Sequence, residues 1–410
     1  MSLRILIFFL ILFLIDIFAF QAVRQLVGSS AKSIKIVTYT IYWVIPVITM
    51  AYIIVMMGGH GDGFPKGFQS VMRAMLFILY FTKLLMAVVI LVDDLRRLLF
   101  GALNLGFSDW KLSTERSQWM TYAAVLLGAI PLLSLTYGMA RNPYRYRLQK
   151  TRIPVKDLHP DLHGLKIVQI SDIHSGSFLL KEPVERSIDM ILEQKPDIVF
   201  FTGDLVNALA KEMEPFLEMF SKIQAPLGVY SVLGNHDYGD YHHWDKPEEK
   251  HQNFEDLKNM HARLGWKLLM NEHVSIPVKD AAFNVIGVEN YSANPRFHKY
   301  GDLSLATREM QDGHFNVLLS HDPSHWNAQV TNDHRDIHLT LSGHTHGFQF
   351  GVEIPGVFKW SPIQYMYPQW AGLYENGGQY LYVNRGLGYL GYPGRVGILP
   401  EITLLTLENS

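Results

Sequence analysis

LKIVQISDIH, residues 165–174, is a short apolar run that stops in an aspartate and a histidine. Leu165–Ser171 has the length and content of a buried strand, and Asp172 and His174 follow at its end. The same arrangement recurs downstream. Asp197–Thr202 (DIVFFT) runs into Gly203-Asp204, and Val229–Leu233 into Gly234-Asn235-His236-Asp237. Asn316–Ser320 precedes His321-Asp322, and Ile337–Ser342 precedes Gly343-His344-Thr345-His346. Helical periodicity falls between them, over Pro183–Gln194, Lys211–Ile223 and Asn253–Leu264, and further strands are expected at Phe283–Gly287 and Gln379–Asn384. The order begins βαβαβ and then gives strands with few helices between them, which predicts mixed sheets covered by helices.

Carboxylate, imidazole and amide oxygen are donors that suit Mn, Fe or Zn. Neighbouring strand ends bring such residues into one crevice, and glycine just before several of them lets the backbone turn and approach closely. Any one of these motifs also occurs by chance as a cap or turn. Five in this order, each after a strand, point to a metal centre. The remaining histidines carry less. His242, His243 and His251 lie in a charged loop, Tyr238–Gln252, that starts beside the site and reads as solvated or as a lid; His325, His334 and His338 fit no ligand pattern.

The order Asp-x-His, Gly-Asp, Gly-Asn-His-Asp, His, Gly-His-x-His resembles that of the calcineurin-like metallophosphoesterases over about residues 160–410. Asn384-Arg385-Gly386-Leu387-Gly388, Arg395 and Pro400-Glu401-Ile402 resemble the bacterial membrane-attached subgroup. The resemblance implies a four-layer αββα sandwich with two divalent metal ions, Mn foremost and Fe or Zn as alternatives. It gives Asp172, His174 and His346 to one metal and Asn235, His321 and His344 to the other, with Asp204 bridging. A metal-bridging hydroxide is expected to attack phosphorus. His236 is the expected acid for the leaving group, with Asp237 expected to hold its other ring nitrogen. Arg385 and Arg395 are candidates for substrate contact or for structural salt bridges.

The N-terminal part is different. Four stretches of the roughly 20 apolar residues a bilayer crossing needs occur at about 3–23, 36–57, 71–92 and 119–140. The expected domains are therefore an all-α transmembrane bundle of four spans over 1–140, a linker over 141–155, and an α/β metallophosphoesterase domain over 156–410. Asp16 and Lys83 fall at similar depth in the first and third spans and are expected to pair. The glycine-rich loop Gly58–Gly63 reads as a chain reversal. Basic residues divide almost evenly between the two sides; the run Arg141–Arg152 favours a cytoplasmic catalytic domain on a bacterial cytoplasmic membrane.

A net charge of −2 disfavours nucleic acid as a partner, and the absence of cysteine excludes disulfides, thiolate ligands and a cysteine nucleophile. Four spans exceed what an anchor needs, and Ile354–Tyr374 is rich in aromatics that suit the headgroup level. Membrane lipids and a lipid-linked phosphoester or pyrophosphate are thus the expected partner and substrate, of phospholipid, polyprenyl phosphate or UDP-diacylglucosamine type. The alternatives are a membrane-anchored phosphodiesterase for a soluble nucleotide, a non-catalytic metal-binding membrane scaffold, and a transporter with a regulatory hydrolase domain.

Overall fold

The structure is a computed structural model that describes residues 3–60, 63–107, 109–311, 313–354 and 356–410. Gly61 and Asp62 of the glycine-rich loop lie outside the described residues. The chain divides into two compact units, Met1–Tyr137 and Gly138–Ser410.

The first unit consists of α1 (Leu3–Leu26), α2 (Lys32–Met57), α3 (Lys66–Gly106) and α4 (Gln118–Arg141), whose last turn belongs to the second unit. All four are long and apolar enough to cross a membrane. Val47, Phe77, Leu98 and Leu126 are among many large apolar side chains exposed on their outer faces. A helix apolar on every side belongs in lipid, where its backbone hydrogen bonds close internally. Each expected span falls inside one helix. α3 runs on well past residue 92; at 41 residues it is about 60 Å long, twice the hydrocarbon thickness. Its extension is held by Arg116, which reaches Asp94 at 2.6 Å and Asp93 at 3.4 Å. Asp16 and Lys83 do pair, Nζ to Oδ1 at 2.5 Å, and both are buried.

The second unit holds two six-stranded sheets and a hairpin. The strands are β1 (Arg147–Val155), β2 (Lys166–Ile170), β3 (Ile198–Phe201), β4 (Val229–Ser231), β5 (Lys267–Leu268), β6 (Glu272–Val278) and β7 (Ala281–Gly287). They continue with β8 (Phe315–Leu319), β9 (Leu339–Ser342), β10 (Val352–Ile354), β11 (Phe358–Trp360), β12 (Gly372–Asn376), β13 (Gln379–Val383) and β14 (Glu401–Asn409). One sheet has the order β1-β14-β2-β3-β4-β5, the other β12-β13-β9-β8-β7-β6, and both mix parallel and antiparallel pairs.

Alternation along the strands builds the layers. Ile167, Ile198 and Phe200 of the first sheet meet Phe283, Val317 and Leu339 of the second in a central core. Their neighbours Val168, Val199 and Phe201 face outward onto helix α5 (Lys181–Glu193) and the helix Pro247–Leu264. Ile286, Leu318 and Leu381 face the other way, onto Leu303, Trp326 and Val330. The result is the expected αββα sandwich.

Three local expectations are corrected. The linker over 141–155 is ordered: a turn, Asn142–Tyr144, leads into β1, which pairs in parallel with β14 from Arg147↔Glu401 to Val155↔Asn409. Arg147, Lys150 and Arg152 make it read as a basic run, and charge on an edge strand is a common guard against edge pairing. Lys211–Ile223 is not one helix but two short turns and a four-residue helix, Leu217–Phe220. Pro215 cannot donate the hydrogen bond that a continuing helix needs. The helix expected at Asn253 starts at Pro247, its first position, and closes at Gly265 with φ 76°. It absorbs the end of the charged loop.

Candidate metal centre

The parallel strands β2, β3 and β4 of one sheet and β8 and β9 of the other end on the same side, so all five polar clusters meet there. Asp172, His174, Asp204, His344 and His346 have φ between 44° and 69°, the left-handed region that side chains rarely adopt. Such strain costs about 1–3 kcal/mol per residue and persists where the surroundings enforce it. Two glycines make the approach possible. Gly203 has φ 95°, and a Cβ on Gly343 would strike Ser171 Oγ and Asp172 Oδ2.

Donor atoms converge in two groups. His346 Nε2 lies 3.1 Å from His174 Nε2 and 3.2 Å from Asp172 Oδ1, and His174 Nε2 is 3.4 Å from Asp204 Oδ2. His344 Nδ1 lies 2.9 Å from Asn235 Oδ1 and 3.3 Å from His321 Nε2, which is 3.2 Å from the same Asp204 Oδ2. Bonds of about 2.0–2.2 Å to one ion set neighbouring ligand atoms about 3.0–3.4 Å apart. These separations suit divalent metal binding by Asp172, His174 and His346 and by Asp172, Asp204 and His321. The oxygen and nitrogen donors, with no thiolate, suit Mn, Fe or Zn.

The surrounding contacts fix which nitrogens face the cluster. His321 Nδ1 donates to the Thr202 carbonyl at 2.7 Å, which leaves Nε2 its lone pair. Tyr367 donates to Asp322 Oδ2 at 3.2 Å and lies 2.9 Å from His344 Nε2, so that nitrogen donates to the phenol and Nδ1 is free to ligate. The Asn235 amide nitrogen donates to Tyr241 at 2.8 Å, turning its oxygen toward the cluster. Neither tyrosine was among the expected site residues. Tyr241 follows Gly-Asn-His-Asp closely and Tyr367 lies in the aromatic segment, but neither position marks a contact.

His236 is half-buried, with its Nδ1 donating to the Asn207 carbonyl at 2.7 Å and its ring 4.9 Å from that of His174. Asp237 does not hold it, which corrects the expected pairing. The Asp237 side chain turns inward and accepts from the backbone N–H groups of Asp204, Leu205, Val206 and Gly234 at 2.8–3.4 Å. It shapes the loops that carry Asp204 and Asn235. Burial and the Asp204 charge push its carboxyl up to about 7, against the pull of the Gly234 and Val206 N–H groups.

Burial pushes the His174 imidazole down to about 3, so it stays neutral, as a ligand must. Burial resists ionisation of Asp204, yet His321, His236 and His174 hold its carboxyl well below the usual range. Burial likewise lowers His321, but Asp204 outweighs it and carries that imidazole up to about 10.

Residues 165–348 match the family described as "Calcineurin-like phosphoesterase". Residues 3–143 match "Probable Calcineurin-like phosphoesterase, transmembrane domain". Metallophosphoesterase YkuE of Bacillus subtilis (strain 168) is 30% identical over 295 residues, 70% of this chain and 96% of that protein. The chain belongs to the calcineurin-like phosphoesterase family. It is similar also to a transmembrane protein with metallophosphoesterase domain of Danio rerio, 30% identical over 70% of this chain and 63% of that one. A second Bacillus subtilis metallophosphoesterase, YkoQ, is 28% identical over 68% of this chain and 96% of its own length. This phosphoesterase is thus a phosphoester hydrolase with a divalent-metal site, joined to a multi-pass membrane domain.

Two arginines expected as substrate contacts are used elsewhere in the phosphoesterase. Arg385 is buried, with one guanidinium nitrogen on Glu401 and another 2.5 Å from Glu353. Arg395 is fully buried and donates to the carbonyls of Arg385, Gly386 and Gly388, with Nη2 3.4 Å from His346 Nδ1. Both brace the loop behind the metal cluster. His242 and His243 are exposed, as expected. His325 is buried between Ser320 and Gln329 at 2.8 and 2.7 Å, outside the metal cluster.

Proposed function

We propose that this phosphoesterase hydrolyses a phosphoester or pyrophosphate bond in a lipid-linked substrate, with two divalent ions, Mn foremost. One observation carries the lipid reading. The segment that brings Tyr367 to His344 also exposes Tyr365 and Met366, 79% and 53% accessible, immediately before it. An apolar surface thus begins one residue from Tyr367, which touches His344, in a chain with four helices long and apolar enough to cross a membrane.

Asp172, His174 and His346 would hold one ion, Asn235, His321 and His344 the other, and Asp204 both. The ions supply Lewis-acid polarisation of the phosphoryl oxygens and a water acidic enough to ionise near neutral pH. The chain does the rest. Asn207 fixes the His236 ring through Nδ1, so in the imidazolium form Nε2–H is the donor left for the leaving oxygen. Tyr241 and Tyr367 orient Asn235 and His344, and Asp237 keeps the loop of Asn235 and His236 in shape. The basic run from Arg141 supports a cytoplasmic catalytic domain on a bacterial cytoplasmic membrane.

The test is turnover by the full chain in detergent with Mn²⁺, comparing membrane-lipid extracts with soluble nucleotides and phosphodiesters, and with His236→Ala as the blank. Release of phosphate or a phosphorylated headgroup from lipid is the expected result. Release only from soluble compounds would reduce the spans to an anchor. No release from either, with metal bound, would favour a scaffold.

A further inference from the structure

The hairpin β10–β11 is built inside out. Antiparallel register places Val352 opposite Trp360 and Ile354 opposite Phe358 on one face, with Glu353 opposite Lys359 on the other. A hairpin on a water-soluble domain turns its apolar face inward. Here the charged face is inward. Glu353 meets Arg385 at 2.5 Å, and Lys359 Nζ donates to the Ala371 carbonyl at 2.5 Å and to Tyr374 at 3.2 Å. The apolar face is outward: Val352, Ile354 and Phe358 are 49%, 52% and 54% exposed, and Val357 at the tip is 80% exposed. Phe348 and Phe350, just before the hairpin, extend the patch. Desolvating two charges on the inner face while leaving four large apolar side chains in water is the wrong way round for an aqueous surface.

The root of the hairpin indicates what covers it. Gly351 N–H donates to the Val396 carbonyl at 2.9 Å, and Val396 N–H donates to the Gln349 carbonyl at 2.7 Å. The adjoining Arg395 N–H donates to the Gly138 carbonyl at 3.2 Å, and its own carbonyl accepts from Asn142 at 2.8 Å. Gly138 and Asn142 bracket the end of α4, where the apolar run of the fourth span gives way to the exposed Arg141 and Arg145. The hairpin therefore springs from the point at which the chain leaves the membrane, and basic residues of the kind that sit at anionic headgroups flank it.

We propose that the β10–β11 hairpin inserts its apolar face into the lipid bilayer beside the exit of α4. The proposal rests on the membrane helices and the hairpin, not on the identity of the substrate. The natural chain has no cysteine, so Val357→Cys can carry a single bimane label in the full chain. Asp280→Cys, in the exposed turn between β6 and β7 at the opposite strand ends, is the reference. The probe is a vesicle of phosphatidylcholine and phosphatidylglycerol containing doxyl-labelled lipid.

An interfacial element lies about 5–10 Å into the headgroup boundary, so the label at 357 is expected to lose at least about half its fluorescence. The label at 280 should lose little and should instead be quenched by aqueous iodide. Adding Ile354→Glu and Phe358→Glu should return the label at 357 to water without changing the thermal midpoint. Equal lipid quenching at 357 and 280 would overturn the proposal. So would protection of the label from both quenchers together with a 357–357 disulfide formed when the unlabelled Val357→Cys protein is oxidised with copper phenanthroline, which would identify a second copy as the occupant. The readout is position, so it stands or falls separately from lipid turnover.

Discussion

Each unit buries a cluster of charged side chains, and the two clusters are organised oppositely. In the membrane unit the Asp16 carboxylate meets Lys83 at 2.5 Å and accepts from Tyr80 at 3.1 Å, so each oxygen has a donor. In the catalytic unit, side chains able to ligate a cation crowd together: His174 against His346, His344 against Asn235, and two imidazoles against one oxygen of Asp204. A closed set of opposite partners needs nothing more and holds helices together. A crowd of imidazole, amide and carboxylate groups suits metal cations. The Arg385 network belongs with the first kind, because its charge is answered by Glu353 and Glu401.

Substitutions can break this contrast, and the largest effect belongs to the shared ligand. Asp204→Ala should cut turnover at least about a thousandfold and lower bound metal, measured by elemental analysis, because both ion sites lose a ligand. His236→Ala should lower kcat by about 10²–10⁴ on substrates with poor leaving groups. The loss should be much smaller on p-nitrophenyl esters, whose leaving group needs no proton, while metal content stays unchanged. Arg385→Ala removes the centre of a buried ion network and should cost about 3–5 kcal/mol of stability, read as a lower unfolding midpoint. Asp16→Asn strands the buried Lys83 charge and should likewise cost about 3–5 kcal/mol, while leaving kcat unchanged, as expected of a pair that only holds helices together.

The pH dependence sharpens the comparison. In the ion-free cluster Asp204 raises His321 from 6.5 to about 10. A raised imidazole stabilises the ion-free fold fully below its unfolded value and loses that contribution as pH climbs through the folded one. The ion must displace the same proton. Mn²⁺ affinity should therefore rise with pH across that window, and binding should release protons, measured calorimetrically in buffers of different ionisation heat.

Much of the site was legible because strand-end clusters are local in sequence: Asp172-Ile-His174 and Gly343-His344-Thr345-His346 carry both their strand and their ligands. The four spans were legible for the same reason. What the sequence hid depends on side-chain direction. Nothing in Gly234-Asn235-His236-Asp237 shows that Asp237 turns back onto backbone N–H groups while a carbonyl, Asn207, takes the His236 ring. Arg385 and Arg395 read equally as anion contacts or as structural braces until Glu353, Glu401 and three carbonyls are seen around them. β1 was hidden by its own charge, which suits an edge strand as well as a linker.

The side chains at the strand ends would hold two ions that share Asp204. Anomalous diffraction from crystals of the full chain grown with Mn²⁺ tests it most directly. Two peaks are expected, one among Asp172, His174, Asp204 and His346 and one among Asp204, Asn235, His321 and His344. A single peak away from Asp204, or no peak with the cluster intact, would contradict it.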